Sequence, residues 1–508
     1  MNTRHALSFA AVGFFALFAL GTSKAKEDGP PKPTKTTAAG NGEAALKAAT
    51  LVGGCDRSDQ FYKSCIESFA PDKATEEKKK CADLGGKWLP GGCPRIAAVD
   101  QCLQGNDPYL SASYKYEGGK SKTDPDDCPR GYRNFAKEPA LKADALKVSP
   151  EEIKEAYHHI RKDEGDALRF AAQRVTAFHE RQRTKTWMYQ DDTATLGQVV
   201  TPVDAVGVYV PGGKAVYPSS VLMCAIPAKV AGVERIVMVT PPQKGPINPY
   251  LLVAADIAGV TEIYRVGGVQ AVAALAYGTK TIAKVDKIVG PGNIYVATAK
   301  RLLYGTVGID MIAGPSELLV VADDDAKPAH VAADLLCEAE HDEDAQVFLV
   351  TTSERLAKDV SKLIESQLKG LQREKIAAKS IARHAVAFVV TTMDEAIELA
   401  NEIAAEHLTL SVDNPFDYLE KVRHAGALFL GRHTPPSVAD YIAGPNHVLP
   451  TGGSARFFSA LSVNDYVKTS NIVHYTKEEL KKVKDHLVRL AHIEGFDAHA
   501  KSAESRFS

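Results

Sequence analysis

Ala205-Val-Gly-Val-Tyr-Val-Pro-Gly-Gly213 is an apolar run that stops at a proline and two glycines. A short apolar, β-branched stretch closed by turn residues reads as a buried strand. The next apolar stretch, residues 221–231, keeps helical spacing, and residues 235–239 return to strand composition. Strand, helix and strand in this order are the grammar of a parallel sheet with helices on its faces.

Working outward, strands are expected at 205–210, 235–239, 262–266 and 287–289, with helices at 221–231, 249–258 and 270–276. A second round has strands at 318–321, 346–351, 385–391, 408–412 and 427–430, separated by helices at 330–339, 354–368, 393–404 and 416–424. The pattern predicts an α/β fold with two doubly wound, incomplete Rossmann-like parallel-sheet domains, about 200–315 and about 316–435. A C-terminal helical part at about 436–508 follows. The two rounds suggest an old duplication, although the chain shows no close internal repeat beyond Ala-Gly-Val at 231–233 and 258–260.

Upstream, Ser149-Pro150-Glu151-Glu152 places an N-cap, a proline at the first helical position and two acids in the first turn. Helical spacing from this start continues to residues 178–182. Residues 1–25 read as a secretory signal, residues 26–50 as a flexible linker and residues 51–135 as an irregular cysteine-rich extension. That extension holds Cys55, Cys65, Cys81, Cys93, Cys102 and Cys128, whereas only Cys224 and Cys337 fall in the remainder. Six such cysteines suit a disulfide framework with 15 possible pairings. No C-x-x-C pair occurs.

The 508 residues are 45% hydrophobic and 24% charged, with a net charge of -2. This is ordinary for a soluble globular protein and argues against nucleic-acid or membrane-surface binding. No membrane association is expected once the signal is cleaved.

The chemistry gathers at Leu335-Leu-Cys-Glu-Ala-Glu-His-Asp342, where a helical apolar pattern ends among acids. Glu338 and His341 lie three apart and share a helix face, so an oxygen and a nitrogen ligand can enter one metal site. Taken alone, the stretch also fits a solvated acidic helix end.

Ligands of open parallel sheets bind beyond the carboxyl ends of the strands. The turns that first draw attention are Val210-Pro-Gly-Gly213, Gly267-Gly-Val-Gln270, Gly290-Pro-Gly-Asn293 and Ala313-Gly-Pro-Ser-Glu317. None is G-x-G-x-x-G, and each is compatible with an ordinary βα turn. Four together favour a nucleotide-sized ligand, because glycine lets backbone approach a phosphate closely.

Glu406 and His407 are adjacent and expected to point in different directions, each serving a separate proton transfer. Asp440 and His447 share an irregular loop, and Glu494 and His499 form another acid–imidazole pairing. Together these supply the four or so ligands of a zinc-type site.

From about residue 149 to 508 the chain resembles the histidinol dehydrogenase family. The resemblance rests on Val206-Gly-Val-Tyr-Val-Pro-Gly-Gly213, Val266-Gly-Gly-Val-Gln-Ala271, Gly290-Pro-Gly-Asn293, Ala313-Gly-Pro-Ser-Glu317, Ala339-Glu-His341, Ala405-Glu-His-Leu408 and Pro445-Asn-His-Val-Leu-Pro-Thr451. It implies zinc- and NAD-dependent oxidation of L-histidinol to L-histidine through the aldehyde.

It further implies a homodimer with shared active sites and one Zn2+ per subunit. Tyr209, Gln270 and Asn293 would contact NAD. Glu338, His341, Asp440 and His499 would hold zinc, and Glu406 and His407 would be the acid–base pair. The substrate would be contacted by Ser316, Glu338, His341, His407, Asp440, His447, Glu494 and His499.

The chain departs from the family at Glu338, where glutamine is usual, and in its N-terminal extension. Glu338 leaves open a related zinc- and NAD-dependent enzyme acting on another polar alcohol, such as a sulfonated diol. The extension leaves open an exported, disulfide-stapled binding protein with an inactive dehydrogenase-like body. NAD chemistry favours the cytoplasm, and the signal-like segment favours export.

Overall fold

A computed structural model describes residues 146–508 apart from 213, 214 and 244, with three short strands upstream: β1 (Ala16–Phe18), β2 (Gly54–Asp56) and β3 (Lys87–Leu89). β1 pairs in parallel with residues 386–388, and β2 pairs antiparallel with β3. The rest of the expected signal, linker and cysteine-rich extension lies outside the described residues.

Helices α1 (Pro150–Ala156) and α2 (Lys162–Glu180) lead into the antiparallel strands β4 (Trp187–Gln190) and β5 (Thr195–Pro202). The first parallel sheet comprises β6 (Ala205–Tyr209), β7 (Arg235–Thr240), β8 (Glu262–Arg265), β9 (Lys287–Val289) and β10 (Gly308–Ile309). Its spatial order is β10-β9-β6-β7-β8. Helices α3 (Pro218–Ala231), α4 (Pro249–Ala258), α5 (Gly268–Tyr277) and α6 (Ile294–Leu303) connect these strands.

The second sheet has β11 (Glu317–Ala322), β12 (Gln346–Thr351), β13 (Ala385–Val389), β14 (His407–Ser411) and β15 (Ala427–Leu430), with β1 beyond β13. Its connecting helices are α7 (Pro328–Ala339), α8 (Glu354–Gln367), α9 (Glu374–His384) and α10 (Met393–Ile403). Leaving β1 aside and counting along the chain, both sheets run 3-2-1-4-5, so the doubly wound α/β fold is present twice.

Side-chain alternation covers both faces of each sheet. In the first, Val206, Val208, Ile236 and Met238 pack into one core, while Ala205, Tyr209, Val237 and Val239 pack into another. In the second, Leu318 and Val320 face one core, and Leu319 and Val321 face the other. Burial on both faces is why these strands read as continuous apolar runs rather than alternating ones.

Several expected elements change. The helix begun at Ser149 breaks into α1 and α2, because Ile160 is extended and Arg161 restarts the helix with its backbone N–H donating to Glu164. The helix expected at 416–424 reduces to a 3-10 turn at Pro415–Tyr418. Asn401 takes over the backbone beyond it: its Nδ2 donates to Lys421 O at 2.8 Å, and its Oδ1 accepts from Arg423 N at 2.7 Å.

Residues 436–508 are not helical throughout. α11 (Pro436–Tyr441) precedes β16 (Val467–His474), which pairs antiparallel with β5 along eight residues, before α12 (Lys477–Ile493) and α13 (Asp497–Glu504). The repeated Ala-Gly-Val is a shared helix stop. Gly232 and Gly259 take left-handed φ values of 92° and 83°, and the following valines donate back to Ala228 O and Ala255 O. Among the described residues no helix is long and apolar enough to cross a membrane.

Candidate active site

In the first sheet the strand order reverses between β6 and β9, so a crevice opens beyond their carboxyl ends. Tyr209 closes β6 there and is buried. Its hydroxyl accepts from the Gly268 N–H at 2.9 Å, tying the turn after β8 to the end of β6. Gly290 follows β9 with φ 104°, and a Cβ there would stand 2.3 Å from the Tyr209 carbonyl oxygen. Only glycine fits such a close approach.

Gln270 lies half-buried in the first turn of α5. Asn293 caps α6, its Oδ1 accepting from Tyr295 N and Val296 N at 3.1 Å each. The three residues expected to contact a dinucleotide therefore border turns joined at Tyr209.

The second cluster sits at the opposite polarity. Glu317 and His407 are the first residues of β11 and β14, which are neighbours across that sheet's own reversal point. The sequence rule for carboxyl ends does not reach this place, because the Ala313–Glu317 turn enters a strand instead of leaving one. Ser316 precedes β11 and is half-buried, with its carbonyl accepting from Gln346 N at 2.9 Å.

Glu317 organises the pair that follows. Its backbone N–H donates to Glu406 Oε2 at 3.0 Å, and its carbonyl accepts from His407 Nδ1 at 3.1 Å. Glu406 and His407 consequently converge, with His407 Nδ1 only 3.8 Å from Glu406 Oε2. The expectation that they diverge fails because Glu406 lies in the bend before β14, where strand alternation has not begun.

Glu338 is buried in the last turn of α7 and brings two imidazoles together. Its Oε1 accepts from His341 Nδ1 at 3.0 Å, and its Oε2 lies 3.3 Å from His407 Nδ1. The His407 Nδ1 atom thus faces the Glu317 carbonyl, Glu338 and Glu406, all acceptors, so it carries the hydrogen. Its Nε2 is buried without a partner, as is Nε2 of His447. Ligand atoms of Glu338, Glu406 and His407 all lie within 4.8 Å of one another.

Charge is concentrated here. Burial raises the Glu406 carboxyl, with Glu338 adding to the rise. Burial also raises Glu317 and Asp440. For His407, burial works against the cation, but Glu338 and Glu406 lift it to about 10. Burial works the same way on His341, and Glu338 lifts it to about 9. Burial would raise Glu338 too, yet the His407 and His341 imidazoles hold it well below the usual carboxylate range. Burial pushes His447 down to about 4, leaving it neutral. Carboxylate oxygens and imidazole nitrogens converging in a buried cluster are the donor chemistry that suits zinc.

Asp440 lies in the last turn of α11 and acts electrostatically on both His341 and His407. Glu494 and His499 do not join the group within one chain. Both are exposed on the C-terminal helices, Glu494 capping α12 and His499 resting its ring 5.0 Å from Phe496.

Sequence reading quoted Glu317 only as the end of a glycine turn and gave it no role, although an acid opening an otherwise apolar strand was a clue. It also passed over Lys300 and Asp310, a buried ion pair whose members look like surface charges in a linear reading.

Residues 130–507 match the family model described as histidinol dehydrogenase. The histidinol dehydrogenase of Caldanaerobacter subterraneus is 57% identical over 367 residues, which is 72% of this chain and 85% of that protein. The histidinol dehydrogenase of Geobacter metallireducens is 53% identical over 375 residues, or 74% and 86% of the two chains. The crystal structure of histidinol dehydrogenase from Elizabethkingia anophelis superposes with a TM-score of 0.71 at 34% identity, covering 81% of this chain and 91% of that one.

Proposed function

Because this chain belongs to the histidinol dehydrogenase family and is an NAD-dependent dehydrogenase of histidine biosynthesis, we propose that it oxidises L-histidinol to L-histidine through L-histidinal, reducing two NAD. The observation that carries this reading is the His407 imidazole. Its Nδ1 is surrounded by acceptors, Glu406 among them, and its Nε2 is left buried and unpartnered. A base with one nitrogen fixed and the other free is what two successive alcohol-type oxidations require.

Glu338 and Glu406 make His407 a strong base, and once its Nε2 proton has been released that nitrogen takes the hydroxyl proton as hydride leaves the alcohol carbon. Glu406, whose burial raises its affinity for protons, takes a proton from the water that adds to the aldehyde. As the water adds, His407 returns its proton to the former carbonyl oxygen and so completes the hydrate, and it then accepts the hydrate's hydroxyl proton as the second hydride leaves. Ser316, His447 and Glu494 would contact the substrate, and the dry surroundings of the pair protect the reactive aldehyde from side reactions.

Zinc, one per subunit, would be held by Glu338, His341 and Asp440 with His499 from a second copy, and would supply a fixed anchor for the substrate's imidazole and amine. The exposed position of His499 and Glu494 supports a homodimer with shared sites. NAD, the hydride acceptor, would lie against Tyr209, Gln270 and Asn293.

The test is NADH production by purified protein supplied with L-histidinol, with and without a chelator. Two NADH per histidinol, abolished by chelation and restored by Zn2+, is the expected result. One NADH per substrate, or none, overturns the proposal.

A further inference from the structure

Beneath the Gly290-Pro-Gly-Asn293 turn lies a buried ion pair. Lys300 of α6 and Asp310, which follows β10, have side chains only 3% and 1% exposed. Their Nζ and Oδ1 are in direct contact. Lys300 Nζ also donates to the Gly290 carbonyl at 2.9 Å. Asp310 Oδ2 accepts from the Gly290 N–H at 2.7 Å, and its Oδ1 accepts from Met311 N at 2.7 Å. Both polar groups of the Gly290 backbone are therefore held by one salt-bridged couple.

Burying an ion pair costs desolvation, and a well-packed apolar pair serves stability as well or better. Stability alone thus gives no reason for this couple. Its geometry supplies one. Gly290 stands at φ 104° against the Tyr209 carbonyl, where the strand order reverses. A residue free of Cβ has many competing conformations, and two charge-assisted hydrogen bonds select one.

We propose that Lys300 and Asp310 are positioning residues for dinucleotide binding, fixing the Gly290–Asn293 turn in the conformation that receives the cofactor. This rests on the placement of NAD under Proposed function. The neighbouring turn that leads to Ser316 has separate anchors, Gly314 N to Thr451 Oγ1 at 2.5 Å and Gln346 N to the Ser316 carbonyl at 2.9 Å. Loss of the couple should therefore be felt by NAD far more than by the alcohol.

The experiment compares the native enzyme with Lys300→Met, Asp310→Asn and the double variant Lys300→Met/Asp310→Leu. The readouts are the Kd for NADH by fluorescence, KM for each substrate and the melting temperature. The single variants are expected to melt earlier, because each leaves a buried group unpaired. The double variant removes both charges, so its melting temperature should recover. Its Kd for NADH and KM for NAD should nonetheless stay raised by about tenfold, against no more than about twofold for KM of the alcohol.

NADH affinity that recovers together with melting temperature overturns the proposal, since the couple would then be structural only. Unchanged NADH affinity in all three variants overturns it as well. If the native protein itself fails to bind NADH, the underlying NAD placement falls instead, and that outcome is distinguishable because it needs no variant.

Discussion

Glu338 Oε2 lies 3.3 Å from His407 Nδ1, so the last turn of α7 and the first residue of β14 share one carboxylate. The other oxygen of that carboxylate takes His341. A proposed metal ligand and a proposed base are therefore linked through a single buried group.

Replacing His407 should stop both oxidations. His407→Asn keeps a donor near the Glu317 carbonyl but removes the Nε2 lone pair, so kcat should fall by about 10²- to 10⁴-fold. Stopped-flow NADH absorbance on a single turnover checks this. A surviving first-step burst at the native rate contradicts it.

Glu406→Gln should act on the second step. The amide oxygen can still accept from Glu317 N, so the local backbone is kept, but the side chain can no longer take a proton from water. One NADH per histidinol with accumulation of aldehyde, trapped by a hydrazine reagent, is the expected outcome. Histidine formation at the native rate would disprove the assignment.

Glu338→Gln should keep the metal and not reduce turnover. The amide offers one oxygen in place of two, yet His407 Nδ1 retains the Glu317 carbonyl at 3.1 Å. Metal content by mass spectrometry and kcat with L-histidinol measure this. Loss of activity with zinc still bound would indicate a site tuned to a different alcohol.

Chelator-treated protein should lose stability as pH rises. The carboxylates lift His341 and His407 in the folded chain to about 9 and about 10, against about 6.5 when unfolded. Their contribution is complete below the unfolded value and lost as pH climbs through the folded ones. Buried Glu406 also binds its proton more tightly when folded, which has the same sign. Glu338 and His447 shift the opposite way; the contribution of Glu338 is already complete above about pH 5, and that of His447 above about pH 7. The melting temperature of the metal-free protein should therefore fall between about pH 7 and pH 10. A rise over this window would refute the charge assignment.

Much of the fold was readable because both sheets are buried on both faces. The apolar runs of β9, β12 and β15 and the proline-started α4 carry their own boundaries, as the exact agreement of 287–289, 346–351, 427–430 and 249–258 shows. The β4, β5 and β16 sheet was not readable, because β16 pairs with a strand more than 260 residues earlier and is exposed along most of its length. Side-chain capture of backbone, as Asn401 does for residues 421–424, is equally silent in a linear pattern.

The sequence by itself determined two rounds of strand and helix, the glycine turns that border the first crevice, and the acids and histidines available for chemistry. These follow from periodicity and residue type, which are local properties. Tertiary structure alone decided that Glu406 and His407 converge, that Glu338 joins His341 to His407, that the second cluster gathers at amino ends of strands, and that Lys300 and Asp310 meet under Gly290. Each depends on register and packing between segments distant in the chain, where burial sets the cost of leaving a polar group unpaired.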